Sequence, residues 1–300
     1  MNYNSTMKVA GLGQCSLDYI ALLERYPVED TKEEATKLLI QGGGPVATAL
    51  VSLARLGVRT EFTGVVSDDD AGSLIIKGLK DEGVGVRNIK VRKGGASQTA
   101  FIVVNGRTGS RTILWKRPTV TPLKSTEVNA EFLKGADFLL LDGLMKDASL
   151  KAGRLAGKLG VPVMLDAGKV RDGMLELARL SDYIVASEEF ARNLKLSPKD
   201  ALSYLAASSP RAVTITLGKK GSVTWQNGKV FTQKAFRVKA VDTTGAGDVF
   251  HGGYIYGVLQ KWDIRKTVEF ASAFAALKCR KPGGRAGIPT LNETLRFIKR

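Results

Sequence analysis

Short apolar runs alternate with segments of helical spacing along most of this chain, and the alternation decides the class of fold. Residues 8–12, 61–66, 138–141, 161–165, 183–185 and 213–217 are apolar runs that read as strands. Residues 46–56, 71–82 and 149–159 place apolar side chains at the spacing of one helix face. Further helices are expected at 246–260, 264–280 and 292–298. Strands separated by helices form βαβ units, and such units build a parallel sheet. Two stretches depart from the pattern. Residues 36–40 read as an extended apolar segment. Residues 97–104 and 111–115 flank the turn Asn105-Gly106-Arg107-Thr108-Gly109-Ser110, which reads as a hairpin.

The 300 residues suffice for a large core, and a single domain over residues 1–300 is expected. A hydrophobic content of 44% and a charged content of 25% are ordinary for a soluble globular protein. No apolar run reaches the roughly 18 residues of a membrane span. The opening stretch, MNYNSTMKVAGLG, has no apolar core of signal-peptide type. Cys15 and Cys279 lie far apart without metal-ligand spacing, and read as free thiols of a reducing, cytoplasmic compartment. The net charge of +16 raises the question of nucleic acid or an anionic membrane. The Lys and Arg are scattered, and no aromatic-interleaved RNA motif, helix-turn-helix or zinc-finger spacing accompanies them. A solvated basic surface that attracts anionic substrates is expected instead.

The chemistry concentrates in Asp242-Thr243-Thr244-Gly245-Ala246-Gly247-Asp248, at the start of the helix expected from residue 246. Small residues leave the backbone N–H groups of Gly245, Ala246 and Gly247 uncovered. The first turn of a helix adds unpaired N–H donors and the positive end of the dipole. Together these suit a phosphate or a developing anion. An acid beside a bound anion is repelled as a ligand. Asp248 therefore reads as a base that takes a proton from a hydroxyl attacking phosphorus. The plain alternative is a Gly-rich turn followed by a helix acid that the dipole favours.

The string DTTGAGDVFHGG resembles the C-terminal signature of the ribokinase-like (PfkB) carbohydrate kinases. Gly42-Gly43-Gly44-Pro45-Val46-Ala47-Thr48-Ala49, with Leu53-Ala54-Arg55-Leu56-Gly57 after it, resembles the family's N-terminal signature. The two stand in the family's order, and the resemblance spans essentially the whole chain. It implies an α/β fold: a three-layer αβα domain with a mostly parallel sheet and a small β-lid, formed by segments at 14–40 and 95–117. In this family the lid closes on a sugar and in many members pairs two subunits. The resemblance further implies ATP and Mg2+, and transfer of the γ-phosphoryl group to a hydroxyl of a sugar or sugar derivative. Asp248 then serves as base and Gly245, Ala246 and Gly247 as the anion hole. Asp18, Gly42, Gly43 and Thr48 fall at acceptor positions. Thr216, Gly218, Gly221, Thr244, Ala273, Ala276 and Gly284 fall along the nucleotide.

Asp18 comes after the first strand, at the carboxyl side where open α/β sheets place ligands. Its carboxylate can accept two hydrogen bonds from sugar hydroxyls; a turn Asp is the alternative. Gly42 and Gly43 let the backbone approach a sugar closely. The Asn that the family usually has shortly afterwards is Ala47 here. The family's Asn-x-x-Glu, which organises the metal's water shell, is Ser187-Glu188-Glu189-Phe190. That leaves Glu188 as the metal-side candidate, with first-turn helix acids as the alternative. Asp242 and the carbonyl of Thr244 match a potassium-site loop of some relatives. His251 reads as structural, because Asp248 already fills the base position.

Gly11-Leu12-Gly13 followed by Ser16 lacks the third glycine of a dinucleotide fingerprint, and no Walker A loop is present. Among kinases, a nucleoside acceptor of adenosine type is the runner-up. Outside them, a catalytically silent sugar- or nucleotide-binding protein is the alternative. Lys32, Lys37, Lys116 and Arg117 lie on the lid segments. If such cations face the acceptor, while Ala47 removes a neutral-hydroxyl contact, the acceptor carries an anionic group.

Overall fold

In a computed structural model, residues 7–299 are described. Residues 1–6, where the stretch read for a signal peptide begins, lie outside them, as does Arg300. The chain opens with β1 (Lys8–Leu12), β2 (Ser16–Leu23) and β3 (Lys37–Gly43). Then come α1 (Pro45–Arg55), β4 (Arg59–Ser67), α2 (Asp70–Asp81) and β5 (Val84–Arg92). A hairpin of β6 (Thr99–Asn105) and β7 (Arg111–Lys116) leads to β8 (Phe138–Leu141), α3 (Lys146–Leu159) and β9 (Val163–Ala167). Next are α4 (Met174–Arg179), β10 (Tyr183–Ser187), α5 (Glu188–Asn193), α6 (Pro198–Ala206) and β11 (Ala212–Thr216). A second hairpin, β12 (Ser222–Gln226) and β13 (Lys229–Gln233), precedes α7 (Ala246–Leu259), α8 (Ile264–Lys278) and α9 (Leu291–Ile298).

The strands form a nine-stranded sheet of order β13-β12-β11-β10-β9-β8-β1-β4-β5 and a four-stranded sheet of order β3-β2-β6-β7. From β11 to β5 the pairing is parallel; β12 and β13 add antiparallel. Successive strand side chains point to opposite faces. Val9, Phe138, Leu140, Met164 and Val185 join one core with Leu50, Tyr254 and Phe274 of α1, α7 and α8. Their neighbours Ala10, Leu139, Leu141, Leu165 and Ile184 join a second core with Ala152, Leu177 and Leu202 of α3, α4 and α6. Helices thus cover both faces, giving three αβα layers. Double burial is why these strands read as unbroken apolar runs. No helix among the described residues is long and apolar enough to cross a membrane.

The expected strands and helices all occur, with bounds shifted by a few residues. Sequence reading passed over β2, β5, β12, β13, α4, α5 and α6. Both α4 and α5 are six residues long, too short to show a helical period. β5 alternates weakly because it forms the sheet's edge. Asp18 follows β1, as expected, and lies within β2, opposite Gln41 of β3 and Ala100 of β6. The small sheet therefore carries an acid on the strand nearest the main sheet's carboxyl edge.

Helices α1 and α7 meet closely at Gly252. A Cβ there would stand 1.9 Å from Ser52 Oγ and 2.9 Å from Ala49 O. Gly252→Val should therefore destabilise the protein by about 1–3 kcal/mol, read as a lowered midpoint in denaturant unfolding. An unchanged midpoint would mean that the two helices part without cost.

Candidate active site

The turn before α7 is built around a glycine that nothing else replaces. Gly245 has φ of 73°, and its absent Cβ would lie 2.9 Å from Gly284 Cα. Only glycine enters this left-handed conformation freely. The Ala246 amide donates to Thr243 O at 3.2 Å, which closes the turn. That amide is partly engaged, in contrast to the expectation that all three stand uncovered. No atom lies within 4 Å of the Cβ position of Gly247, so the turn faces open space there. Asp248 comes next. Burial raises its carboxyl well above the usual range, the charges of Asp166 and Asp18 raise it further, and Lys278 and Arg111 oppose. A carboxyl so raised is a better base than a solvated one.

Side chains hold this turn from behind. Asp242 Oδ1 accepts from Thr244 N (2.8 Å) and Thr244 Oγ1 (2.7 Å), and Oδ2 accepts from Gly283 N (2.7 Å). The Lys278 ammonium donates to Asp242 O at 3.1 Å and to Thr244 O. It stands where the potassium ion was expected. His251 Nδ1 donates to Gly247 O at 2.6 Å, and Nε2 lies 3.5 Å from Asp166 Oδ1. The histidine ties the first turn of α7 to β9, in keeping with its structural reading. From the small sheet, Arg111 donates to Thr243 Oγ1 at 2.5 Å.

In the small sheet Asp18 is buried, and Ser16 Oγ donates to Asp18 Oδ1 at 2.6 Å. Burial raises its carboxyl, while Ser16 and Arg285 oppose. The two glycines beside it lie against protein side chains. A Cβ on Gly42 would lie 2.2 Å from Arg285 Nη1, and one on Gly43 would lie 2.1 Å from Asp18 Oδ2. Neither position tolerates a side chain while Arg285 and Asp18 stay in place. Arg285 donates to Gly43 O at 3.2 Å, and burial lowers its guanidinium to about 10. Thr48 is buried inside α1. At the end of β8, Asp142 accepts from Gln14 N (2.7 Å) and Leu144 N (2.9 Å), and burial raises it to about 7.

Next to Asp142 opens a cavity of about 210 Å³ lined by Gln14, Gln98, Trp115, Arg117, Met145 and Arg171, among others, with no carboxylate. Neither Asp18 nor Asp248 lines it. Arg117 stacks over Trp115 at 5.1 Å. Of the four lid cations singled out in the sequence, Arg117 alone lines this cavity. Lys32, Lys37 and Lys116 are exposed elsewhere. Lys37 pairs with Leu22, at the far end of β3 from Gly43.

On the other side of α7, Thr216 ends β11 and its hydroxyl donates to Ala186 O at 3.3 Å. Gly218 opens onto free space. Gly221 serves the following hairpin, since a Cβ would stand 1.9 Å from Gln233 O. Ala273 is wholly buried and Ala276 half-buried in α8. Glu188 pairs with Lys220 at 3.4 Å and Glu189 with Lys169 at 2.8 Å. No group of three metal-ligating side chains converges among the described residues. A Mg2+ ion carried mainly by phosphate oxygens needs no such cage. Asp142, Asp166, Arg171, Lys278 and Arg285 were not singled out from sequence. The two acids had a signal, since each ends or follows an apolar strand run at the ligand-binding edge. The exposed Arg171 and the buried Lys278 and Arg285 had none.

The family model for pfkB family carbohydrate kinases matches residues 7–291. The chain belongs to that family. It is an ATP-dependent phosphotransferase that acts on a sugar hydroxyl. Similar pfkB relatives include a 5-dehydro-2-deoxygluconokinase of Clostridium perfringens, 30% identical over 283 residues, covering 86% of this chain and 84% of that protein. An ATP-dependent ribose-1-phosphate kinase of Halopiger xanaduensis is 27% identical, covering 97% and 98%. A ribokinase-like crystal structure from Agrobacterium tumefaciens superposes with a TM-score of 0.90 at 29% identity, covering 98% and 97%.

If Asp248 is the base, Asp248→Asn should lower kcat by about 10²–10⁴-fold. Asp166→Asn removes a negative charge that raises Asp248. A base works only when deprotonated, so the acid limb of kcat/KM should move to lower pH. A pH–rate profile in which that limb stays put or moves up would contradict the assignment.

Proposed function

We propose that this pfkB kinase phosphorylates an anionic sugar derivative, a sugar acid or sugar phosphate, held between the small sheet and the carboxyl edge of the main sheet. The observation that carries the reading is the cavity with two guanidinium groups, Arg117 and Arg171, and no acid in its wall. A planar fork of donors matches carboxylate or phosphate oxygens. Two relatives carry anionic acceptors in their names, a gluconate derivative and ribose 1-phosphate.

In this reading the acceptor's charged end meets Arg117 and Arg171, and Asp18 accepts from its hydroxyls. Asp248 takes the proton of the attacking hydroxyl. The amides of Gly245 and Gly247, with that of Ala246 shared with Thr243 O, receive the charge that develops on the transferred phosphoryl oxygens. Thr216, Gly218, Thr244, Ala276 and Gly284 border the nucleotide. Glu188 or Asp166 would hold the water shell of a Mg2+ ion bound with ATP, which would supply neutralisation of phosphate charge. The protein works in the cytoplasm as a single domain. The small sheet is its lid. Ile40, Phe101 and Leu114 form an exposed row across that sheet's outer face, with Leu38 beside them and Tyr19 stacked on Phe101 at 5.1 Å. That row fits a second copy of the chain, and the kinase is a homodimer through it.

An ADP-release screen over sugar acids, sugar phosphates, neutral sugars and nucleosides tests the acceptor class. Removing a hydrogen bond to a charged group costs about 1.5–3 kcal/mol. Arg117→Met and Arg171→Met should thus each raise the anionic acceptor's KM about ten- to a hundredfold. The wild-type KM should also rise with ionic strength. Preference for a neutral sugar, with a KM indifferent to salt and to both substitutions, would defeat the reading. For the dimer, Phe101→Glu should sediment as a monomer where the wild type sediments as a dimer; a monomeric wild type rejects the pairing.

A further inference from the structure

Lys278, the last residue of α8, has no exposed surface at all. Lysine is almost never fully buried unless its charge is matched. Here Nζ donates to two main-chain carbonyls, Asp242 O at 3.1 Å and Thr244 O. The carboxylate of Asp242 is the nearby counter-charge, and its oxygens are occupied by Thr244 N, Thr244 Oγ1 and Gly283 N. The carboxyl end of α8 adds the negative end of a helix dipole. The same helix end holds the incoming chain, because Cys279 O accepts from both Val241 N (2.8 Å) and Asp242 N (3.1 Å).

The geometry couples this ammonium to the anion turn. Thr244 C=O and Gly245 N–H belong to one planar peptide and point in opposite directions. Fixing the carbonyl toward Lys278 fixes the Gly245 amide toward the other side. The turn thus presents carbonyl oxygens inward to a cation and N–H groups outward to an anion. Convergent main-chain carbonyls are also what a bare monovalent cation requires. We propose that Lys278 is a built-in cation that positions the anion turn, so that this kinase turns over without a monovalent metal ion.

The proposal rests on the assignment of the Gly245–Gly247 amides and Asp248 to phosphoryl transfer. Lys278 is a positioning residue, since it touches the turn and not the substrate. Its test compares the wild type with Lys278→Ala and Lys278→Met, assayed with the acceptor that the screen returns. The probes are K+, methylammonium and tetramethylammonium at constant ionic strength. Wild-type kcat should be the same in all three. In tetramethylammonium, which is too large for the site, Lys278→Ala should lose about ten- to a hundredfold in kcat, the scale of a displaced catalytic group, with the acceptor KM little changed. K+ or methylammonium should restore part of that loss. A wild type that needs K+ would overturn the proposal, whether or not the variants fold. So would full turnover of Lys278→Met in tetramethylammonium, or a loss that no small cation restores in a variant with wild-type thermal unfolding. Asp248→Asn run alongside separates the two readings. Full turnover there overturns the site assignment, whereas an inactive Asp248→Asn with a K+-dependent wild type overturns only the role of Lys278.

Discussion

Parallel pairing from β11 to β5 is the constraint on which the molecule turns. A parallel strand can be followed by another only through a crossover, so every strand ends at the same edge of the sheet. The residues that matter chemically all gather at that edge. Asp142 follows β8, Asp166 lies in β9, Thr216 ends β11, and Gly13 to Cys15 leave β1 for the small sheet. The two cores above and below pack the faces of the sheet, and ligands of open α/β sheets bind at this carboxyl edge. The antiparallel pair β12 and β13 closes one margin without disturbing that arrangement.

Much of this was legible because the physics is local. A strand buried on both faces is an apolar run, and β1 and β8 could be read to the residue. The turn at Gly245 was legible because a left-handed backbone at a helix start demands a small residue. What escaped had a non-local cause. Gly42 and Gly43 lie against Arg285 and Asp18, neighbours that only the tertiary fold brings there. Gly221 likewise lies against Gln233 O, brought there by the following hairpin. Lys278 and Arg285 were invisible for a further reason. A charged residue read from sequence defaults to the surface, and only the assembled carbonyls and carboxylates make an interior place for one.

The site's electrostatics follow from that interior placement. Asp18, Asp142, Asp166 and Asp248 all have raised carboxyl groups, and burial is the first cause in each. Lys278 and Arg285, both buried, are lowered by the same cause. Burial disfavours the charged form of acids and cations alike at this site.

Arg285 also stitches two parts of the chain that lie far apart in sequence. Its backbone N–H donates to Gln41 Oε1 at 3.0 Å and its guanidinium to Gly43 O, both on β3 of the small sheet. One residue before it, Gly284 packs on Gly245. Strand β3 and the turn before α7 thus share a single seam. In the proposed function the acceptor and the transferred phosphate lie on its two sides. There, a molecule that tightens the seam from one side lowers the ordering cost for a molecule arriving at the other, and linkage makes the two effects equal.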